Sequence, residues 1–368
     1  MIKILYVIGT LDYCNGITSY AINYYNMLYK EFQIDFAVHE TENKNSEYYS
    51  DIIAKGSKIF FMGNASKKNL ISLPKKIKKI LNDNKYDIVH CHLLNLSPFY
   101  FYECKKNGII NRVLHSHATK YAEKKSRILR NKILGSLGKK MSTCNIACSN
   151  KAGEFLFKHK EYFVINNGIV AEKYYFNKEK RNEYRNKRKL NGFVVGHIGR
   201  FSEQKNHIFL LNSFNSAYLK EKNIYLVLVG NGPLFESIKS YSKKLACFNN
   251  IIFEGEVSNV YDIISAFDLF VLPSLFEGFP VVSVEAQFNG VPLIMSSEIT
   301  KECKLNDNVE FLNLNQEVWS NAIINAVNLN AKRCSLSKKL ENYDIKVCYK
   351  KLSNIYTSLV SNMDYSKF

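Results

Sequence analysis

The sequence predicts an α/β protein built as two tandem Rossmann-like, doubly wound domains facing each other across a cleft. Three observations carry that expectation. Short apolar runs of strand length alternate with helical stretches through most of the chain, which is the pattern of parallel sheets covered on both faces. The 368 residues exceed the size at which a single core keeps growing, so two domains are the default. A charged stretch almost free of apolar residues, Lys178–Lys189, ends at the turn signal Asn191-Gly192 and divides the alternating pattern in two.

In the first half the expected strands are Lys3–Ile8, Ile34–Val38, Lys58–Met62, Ile88–Cys91, Arg112–His115, Asn145–Ala147 and Tyr162–Ile165, with helical segments such as Ser19–Tyr29 and Leu73–Leu81 between them. In the second half they are Phe193–His197, Tyr225–Val229, Ile251–Phe253, Leu269–Leu272, Leu293–Met295 and Val309–Leu312. The helices there are His207–Tyr218, Leu234–Leu245, Tyr261–Phe267, Val281–Phe288, Glu317–Leu329 and Asp344–Ser361. The domain reading is therefore an N-terminal domain over 1–175, a basic linker over 176–192, a C-terminal domain over 193–343, and a last segment, 344–368, packing back on the first domain. In open parallel sheets, ligands bind beyond the carboxyl ends of the strands, so the loops after these strands are where chemistry is sought.

Composition narrows the function classes. With 46% hydrophobic and 23% charged residues, the chain is globular rather than disordered. Its apolar runs are strand-sized, well short of the roughly 20 residues that span a bilayer, and Met1 runs straight into a strand without a signal-peptide pattern. A cytoplasmic protein is expected. Nine cysteines without a Cys-x-x-Cys pair read as reduced, small hydrophobic residues. His90-Cys91-His92 ends a strand in which successive side chains face opposite ways, so no metal site is expected there. The formal charge is +18, and most of the excess lies in residues 1–168, with 26 Lys and Arg against 13 Asp and Glu. Such a field attracts polyanions or an anionic membrane surface. Nucleic acid is the weaker reading, because no recognisable module and no aromatic platform accompany the charge.

The most informative stretch is Glu277-Gly-Phe-Pro-Val-Val-Ser-Val-Glu285, just after the buried strand ending at Leu272. Two carboxylates bracket a turn and a helix start, where backbone N–H groups and the helix dipole favour an anion. Acids beside an anion are costly unless they hold hydroxyls, and a sugar nucleotide offers hydroxyls on both sides of its phosphates. Gly199-Arg200 and Lys205 follow the first strand of the second half. A guanidinium and an ammonium there can clamp a diphosphate and stabilise the charge that grows on it as a bond breaks. Val229-Gly-Asn-Gly-Pro233 and the end of Phe253-Glu-Gly-Glu-Val257 lie at the same rim. Asp268 reads as a residue that orients local backbone. In the first half, Gly16 opens a helix after the first strand, at a place suited to a phosphate. His115 and His117 end another strand, where imidazoles can meet a sugar hydroxyl or a reacting oxygen.

Taken together, these motifs resemble the retaining glycosyltransferases of the two-Rossmann-domain (GT-B) architecture, and in particular the bacterial capsule and exopolysaccharide group of family 4. The resemblance covers nearly the whole chain. The Gly16 loop, Asp87-Ile-Val-His90, His115-Ser-His117, Asn167-Gly168-Ile169, Gly199-Arg200 with Lys205, Val229-Gly-Asn-Gly-Pro233 and Pro273-Ser-Leu-Phe-Glu277 through Glu285 occur in the family's order. It implies transfer of a hexose or N-acetylhexosamine from a nucleotide-diphosphate sugar, with uridine the favoured base, to a lipid-linked glycan, with no metal or other cofactor. It implies that Glu285 holds the ribose hydroxyls and that Glu277 meets the sugar near its anomeric centre. Arg200 and Lys205 would hold the diphosphate with Gly16 and the backbone around Phe279, Pro280, Val281 and Val282. His115 would contact the sugar or support its positioning. The residues' own positions, apart from the resemblance, put His117 beside it and Gly232 and Val257 along the nucleotide site. Two departures stand out. Asn15 replaces the first of two glycines common in the family's first loop, and Pro280 replaces a glycine, removing one N–H from the anion site.

Lys120–Lys140 interleaves basic residues (Lys120, Lys124, Lys125, Arg127, Arg130, Lys132, Lys139, Lys140) with Ile128, Leu129, Ile133, Leu134 and Leu137. A basic amphipathic helix of this kind suits an anionic inner membrane surface and a peripheral location; otherwise its apolar stripe belongs in the core. Other classes compatible with the same scaffold are a catalytically inactive nucleotide-sugar-binding protein and a two-domain nucleotide-sugar epimerase or hydrolase. The intact pair of acids and pair of cations argue against the first. The lack of a convincing set of acids in the first half argues against the second.

Overall fold

The structure, a computed structural model, describes residues 1–12, 15–64, 67–122, 125–257 and 259–361, apart from the side chains of Glu47, Lys67, Lys68 and Leu70. The chain divides into two compact units: Met1–Gly168 joined by the segment from Ile345 on, and Ile169–Asp344.

The first unit alternates β1 (Lys3–Ile8), α1 (Gly16–Leu28), β2 (Gln33–Val38), α2 (Glu47–Ala54), β3 (Ile59–Phe61), α3 (Lys67–Asn84), β4 (Ile88–Cys91), α4 (Ser97–Lys106), β5 (Asn111–Ser116), α5 (Lys125–Met141), β6 (Cys144–Ala147), α6 (Asn150–Phe157) and β7 (Phe163–Val164). Its strands form one parallel sheet of order β3-β2-β1-β4-β5-β6-β7. The central strands β1 and β4 are mostly apolar because helices cover both faces; Ile4, Leu5, Val7, Ile8, Ile88 and Val89 are all fully buried, as is His90.

The second unit continues with α7 (Lys178–Arg188), β8 (Phe193–Ile198), α8 (His207–Lys220), β9 (Ile224–Val229), α9 (Phe235–Ser242), β10 (Ile251–Gly255), α10 (Val260–Ile264), β11 (Leu269–Leu272), α11 (Val281–Phe288), β12 (Leu293–Ser296), β13 (Val309–Leu312) and α12 (Gln316–Asn328). Its parallel sheet has the order β10-β9-β8-β11-β12-β13. The core on one face gathers Phe201, Leu210, Phe214, Leu226, Leu228, Val271 and Trp319. Helix α13 (Ile345–Ser361) closes the described chain and packs on α1 of the first unit.

The segment read as a linker, 176–192, is a correction. Lys178–Arg188 forms α7, capped by the Asn177 side chain accepting from Lys180 N–H, and it belongs to the second unit. It carries no buried residue, which is why the sequence shows no apolar stripe. Polar contacts fasten it instead: Arg181 and Arg185 both pair with Asp268, and Tyr184 and Arg188 with Glu254. Asp268 also accepts from Val194 N–H at 2.8 Å, so its part is to tie α7 to the starts of β8 and β11. The boundary falls at Gly168/Ile169 rather than near 175.

Candidate active site

In the second unit, every loop singled out by the sequence leaves the carboxyl edge of the sheet. Strand order reverses between β8 and β11, and a crevice at such a switch point is the expected place for a ligand. The loop after β8 carries Arg200 and Lys205; the loop after β11 carries Glu277. Lys205 Nζ lies 2.7 Å from Glu277 Oε1, and the Gln204 amide donates to Glu277 Oε2 at 3.0 Å and to the Phe276 carbonyl at 2.9 Å. The two side chains of the ion pair are only 14% and 10% exposed. Arg200 is exposed; its carbonyl accepts from Ser202 N–H at 2.8 Å, and its guanidinium makes no hydrogen bond or ion pair with another described residue.

Glu285 sits on the second turn of α11, half-buried, and accepts from the Tyr174 hydroxyl at 2.8 Å. Burial pushes its carboxyl up to about 7, against the smaller opposing effects of the phenol and of Lys205. Pro280 is the residue before the helix, and Ser283 N–H turns back to its carbonyl at 3.0 Å. The amides of Val281 and Val282 head the helix, where no intrahelical acceptor exists for them. Phe279 is buried and stacks on Tyr343, with centroids 5.1 Å apart.

The glycine loop after β9 is pressed against the loop after β8. A Cβ on Gly230, at φ +130°, would stand 2.2 Å from the Gly199 carbonyl oxygen; one on Gly232 would stand 2.6 Å from that of Phe201. Phe201 N–H donates to Asn231 O at 3.0 Å, and Gly230 N–H to Gly255 O at 2.7 Å. The ends of β8, β9 and β10 are thereby laced into one rim, with half-buried Val257 just beyond.

In the first unit, Gly16 is the first residue of α1, but the Asn15 side chain accepts from both Ile17 N–H and Thr18 N–H. The anion role read for this helix start is corrected to that extent: the residue that departs from the double-glycine pattern occupies two of the amides a phosphate would need. His115 is buried and His117 half-buried at the end of β5. His90 and His92, two apart on the neighbouring strand edge, share one face with them. His90 Nε2 meets His115 Nδ1 at 3.1 Å and His92 Nδ1 meets His117 Nε2 at 2.9 Å. The two pairs stack, with ring centroids 4.2 Å apart for His90 and His92 and 4.0 Å for His115 and His117. Ring nitrogens of His90, His92 and His115 all lie within 4.8 Å of one another. Burial lowers all four imidazoles below their usual range, His117 to about 3.

Gln204, Tyr174, His90 and His92 were not singled out as site residues by the sequence. The repeated His-x-His on two predicted strand ends was a readable signal for the last two, since alternate residues share a face. Tyr174 had no such signal.

The fold and this acid–cation rim define a GT-B glycosyltransferase. Sequence models of two families match, Glycosyl transferases group 1 over residues 178–343 and Glycosyltransferase Family 4 over residues 14–173. EpsF of Bacillus subtilis (strain 168) is 30% identical over 318 residues, covering 82% of this chain and 80% of its own. A UDP-Gal:alpha-D-GlcNAc-diphosphoundecaprenol alpha-1,3-galactosyltransferase of Escherichia coli is 29% identical, covering 80% of each chain. The capsular polysaccharide biosynthesis glycosyltransferase CapH of Staphylococcus aureus is 28% identical, covering 97% and 99%. Among solved structures, Anabaena HepE in complex with UDP and glucose superposes with a TM-score of 0.81 at 15% identity, covering 97% of this chain and all of that one. The chain belongs to the family 4 glycosyltransferases of the group 1 type, with a relative named for capsular polysaccharide biosynthesis.

Proposed function

We propose that this enzyme is a retaining, metal-independent transferase that moves a hexose or N-acetylhexosamine from a UDP-sugar to a lipid-linked, growing surface polysaccharide. The observation that carries the reading is the Lys205–Glu277 pair at the switch point of the second sheet. An ammonium has three donors; one meets Glu277, leaving two for a phosphate beside an acid that can receive sugar hydroxyls. Arg200, exposed and uncommitted among the described residues, supplies a second cation. The amides of Val281 and Val282, with Phe279 and Pro280 shaping the turn, add donors at a helix start.

In this mechanism the bond from the anomeric carbon to the diphosphate breaks as the bond to the acceptor oxygen forms on the same face. The acceptor's proton passes to the departing phosphate. Arg200 and Lys205 hold the charge that grows there, the task a divalent metal performs elsewhere. Glu285 accepts from the ribose, Gly232 and Val257 line the nucleotide, and His115 and His117 of the first unit serve the sugar. The names of the Escherichia coli relative and of the HepE complex support a uridine donor and a diphospholipid acceptor.

Helix α5 supports work at a membrane surface. It rests on the start of α4 and the loop before it through small residues, Gly138 against Ser97 and Gly135 against Leu94, which leaves Ile128, Leu129, Ile133 and Leu137 exposed among Lys125, Arg127, Arg130, Lys132 and Lys140. Lys124 lies outside the described residues. No helix among the described residues is long and apolar enough to cross a membrane. A thermal-shift panel of nucleotide diphosphates and their sugars tests the donor class: UDP and one UDP-sugar should raise the melting temperature, and a panel in which no uridine ligand does so would end the reading.

A further inference from the structure

A chain of buried hydrogen bonds in the first unit ends on His115. Tyr6 and Tyr356 hydroxyls lie 2.8 Å apart, the Tyr356 hydroxyl lies 2.5 Å from His90 Nδ1, and His90 Nε2 lies 3.1 Å from His115 Nδ1. All four residues are at most 1% exposed. His115 Nε2 has no partner among the described residues. The series thus runs from β1 through α13 and β4 to one buried nitrogen without a partner among the described residues, at the end of β5.

Its direction follows from counting hydrogens. Each phenol has one, and each neutral imidazole has one. If Tyr6 donates to Tyr356, then Tyr356 donates to His90 Nδ1, His90 Nε2–H donates to His115 Nδ1, and the remaining proton is on His115 Nε2. Every donor up to His115 is then used. In the reverse direction Tyr356 donates to Tyr6, whose own buried O–H has no acceptor, and His115 Nε2 is a bare lone pair. Four hydrogens serve three links, so each direction leaves one buried donor over: His115 Nε2–H, which a sugar oxygen can accept from, or the Tyr6 O–H, deep in the unit, which stays unsatisfied with substrate bound as well; the second is the costlier arrangement. Burial keeps His90 and His115 from taking a second proton at neutral pH, so the count holds. The Tyr20 ring stands edge-on to His115, centroids 4.8 Å apart, and fixes its plane.

We propose that Tyr356 and His90, backed by Tyr6, are positioning residues that hold His115 in the Nε2–H tautomer, so that His115 meets the substrate as a neutral hydrogen-bond donor rather than as a base. This rests on the reading that His115 touches the transferred sugar; the partner is a sugar oxygen. The same cluster is poorly disposed for a transition metal. Its rings lie within 12° to 31° of parallel, whereas a metal needs in-plane lone pairs from several rings converging on one point, and four ring nitrogens are already engaged in hydrogen bonds to one another.

The test uses the full chain labelled with nitrogen-15 histidine. Two-bond proton–nitrogen correlations read each tautomer, and His115→Gln identifies the His115 signals. Wild type should show His115 as Nε2–H. Tyr6→Phe should keep it so, since Tyr356 then has only His90 to donate to. Tyr356→Phe should give a mixture, with kcat/KM for the sugar donor lowered about three- to tenfold, the range of one neutral hydrogen bond, while UDP, which lacks the sugar, binds unchanged. His90→Gln, whose amide can both accept and donate, should retain more turnover than His90→Leu. An Nδ1–H tautomer in wild type would overturn the proposal, as would a wild-type tautomer and turnover in Tyr356→Phe, or one zinc per chain that is lost in His90→Gln. Full turnover in His115→Ala would instead remove the reading beneath it and leave the tautomer assignment intact.

Discussion

Tyr174 donates its hydroxyl to Glu285 across 2.8 Å, while Lys205, the ammonium nearby, bonds to Glu277 instead. Burial therefore dominates at Glu285, and its carboxyl is pushed up to about 7 from a usual 4.5. A carboxyl raised on folding is more protonated in the native state than in the unfolded chain between those values. Its contribution to stability is complete below about 4.5 and is lost as pH rises through about 7. The melting temperature of the ligand-free enzyme should fall, relative to Glu285→Gln, between pH 5 and pH 8. A difference that stays constant over that range would contradict the assignment.

Arg200→Ala separates catalysis from folding most cleanly, because the side chain is exposed and bonds to no other described residue. Turnover should drop about 100-fold or more with the melting temperature unchanged. Glu277→Ala and Lys205→Ala should match that loss, and Lys205→Ala should also lower stability, since it removes the ammonium from a carboxylate only 10% exposed. Near-normal sugar transfer by all three variants would discredit the site.

Gly230→Ala places a methyl 2.2 Å from the Gly199 carbonyl at a φ of +130°. The rim after β8 and β9 must then separate. We expect a loss of about 1–3 kcal/mol in denaturant titration together with weaker UDP binding by calorimetry. Wild-type values for both would show that the close approach of the two loops is dispensable.

If cations and amides carry the diphosphate, chelation is harmless. Transfer from the UDP-sugar should proceed at the same rate in excess EDTA, and strict dependence on added manganese would assign the leaving group to a metal.

Exposed Ile128, Leu129, Ile133 and Leu137 among cations predict sedimentation with anionic vesicles at low salt, weakened by raising ionic strength. Replacing Lys125, Arg127, Arg130 and Lys132 together by Glu should abolish it. No binding by the wild-type protein at low salt would remove the membrane assignment.

Strands were the legible part of this sequence. Lys3–Ile8, Ile88–Cys91, Leu269–Leu272 and Val309–Leu312 are read to the residue; the first three because buried parallel strands are largely apolar runs bounded by turns, whereas Val309–Leu312 is an edge strand with only Val309 buried. The anchorage of helices held by something other than an apolar stripe was not legible. Helix α7 hides its anchorage in Arg181 and Arg185, whose partner Asp268 lies more than 80 residues on. Helix α5 was legible as a helix within Lys120–Lys140, but its docking face was not: it packs through Gly135 and Gly138, which a search for hydrophobic spacing passes over. At the site, the loops of Lys205 and Glu277 could be placed on one rim in advance, since both follow strands of the second sheet, though their ion pair was not legible. Tyr174 and Tyr356 could not, because each reaches its partner from a distant element, 111 and 266 residues away in the chain.

Residues 169–344 are topologically an insertion. The chain leaves the first unit after Gly168 and returns to it at Ile345, and the ends of the inserted unit are stitched together, Ile169 N–H donating to Tyr343 O at 2.9 Å and Ile169 bridging Asp344 in parallel. Cutting the gene at the middle would therefore not yield two working halves. A fragment stopping at residue 168 would lack α13, and His90 would face an empty socket where a phenol belongs, whereas the inserted portion, with adjoining ends, is the half suited to excision and separate expression.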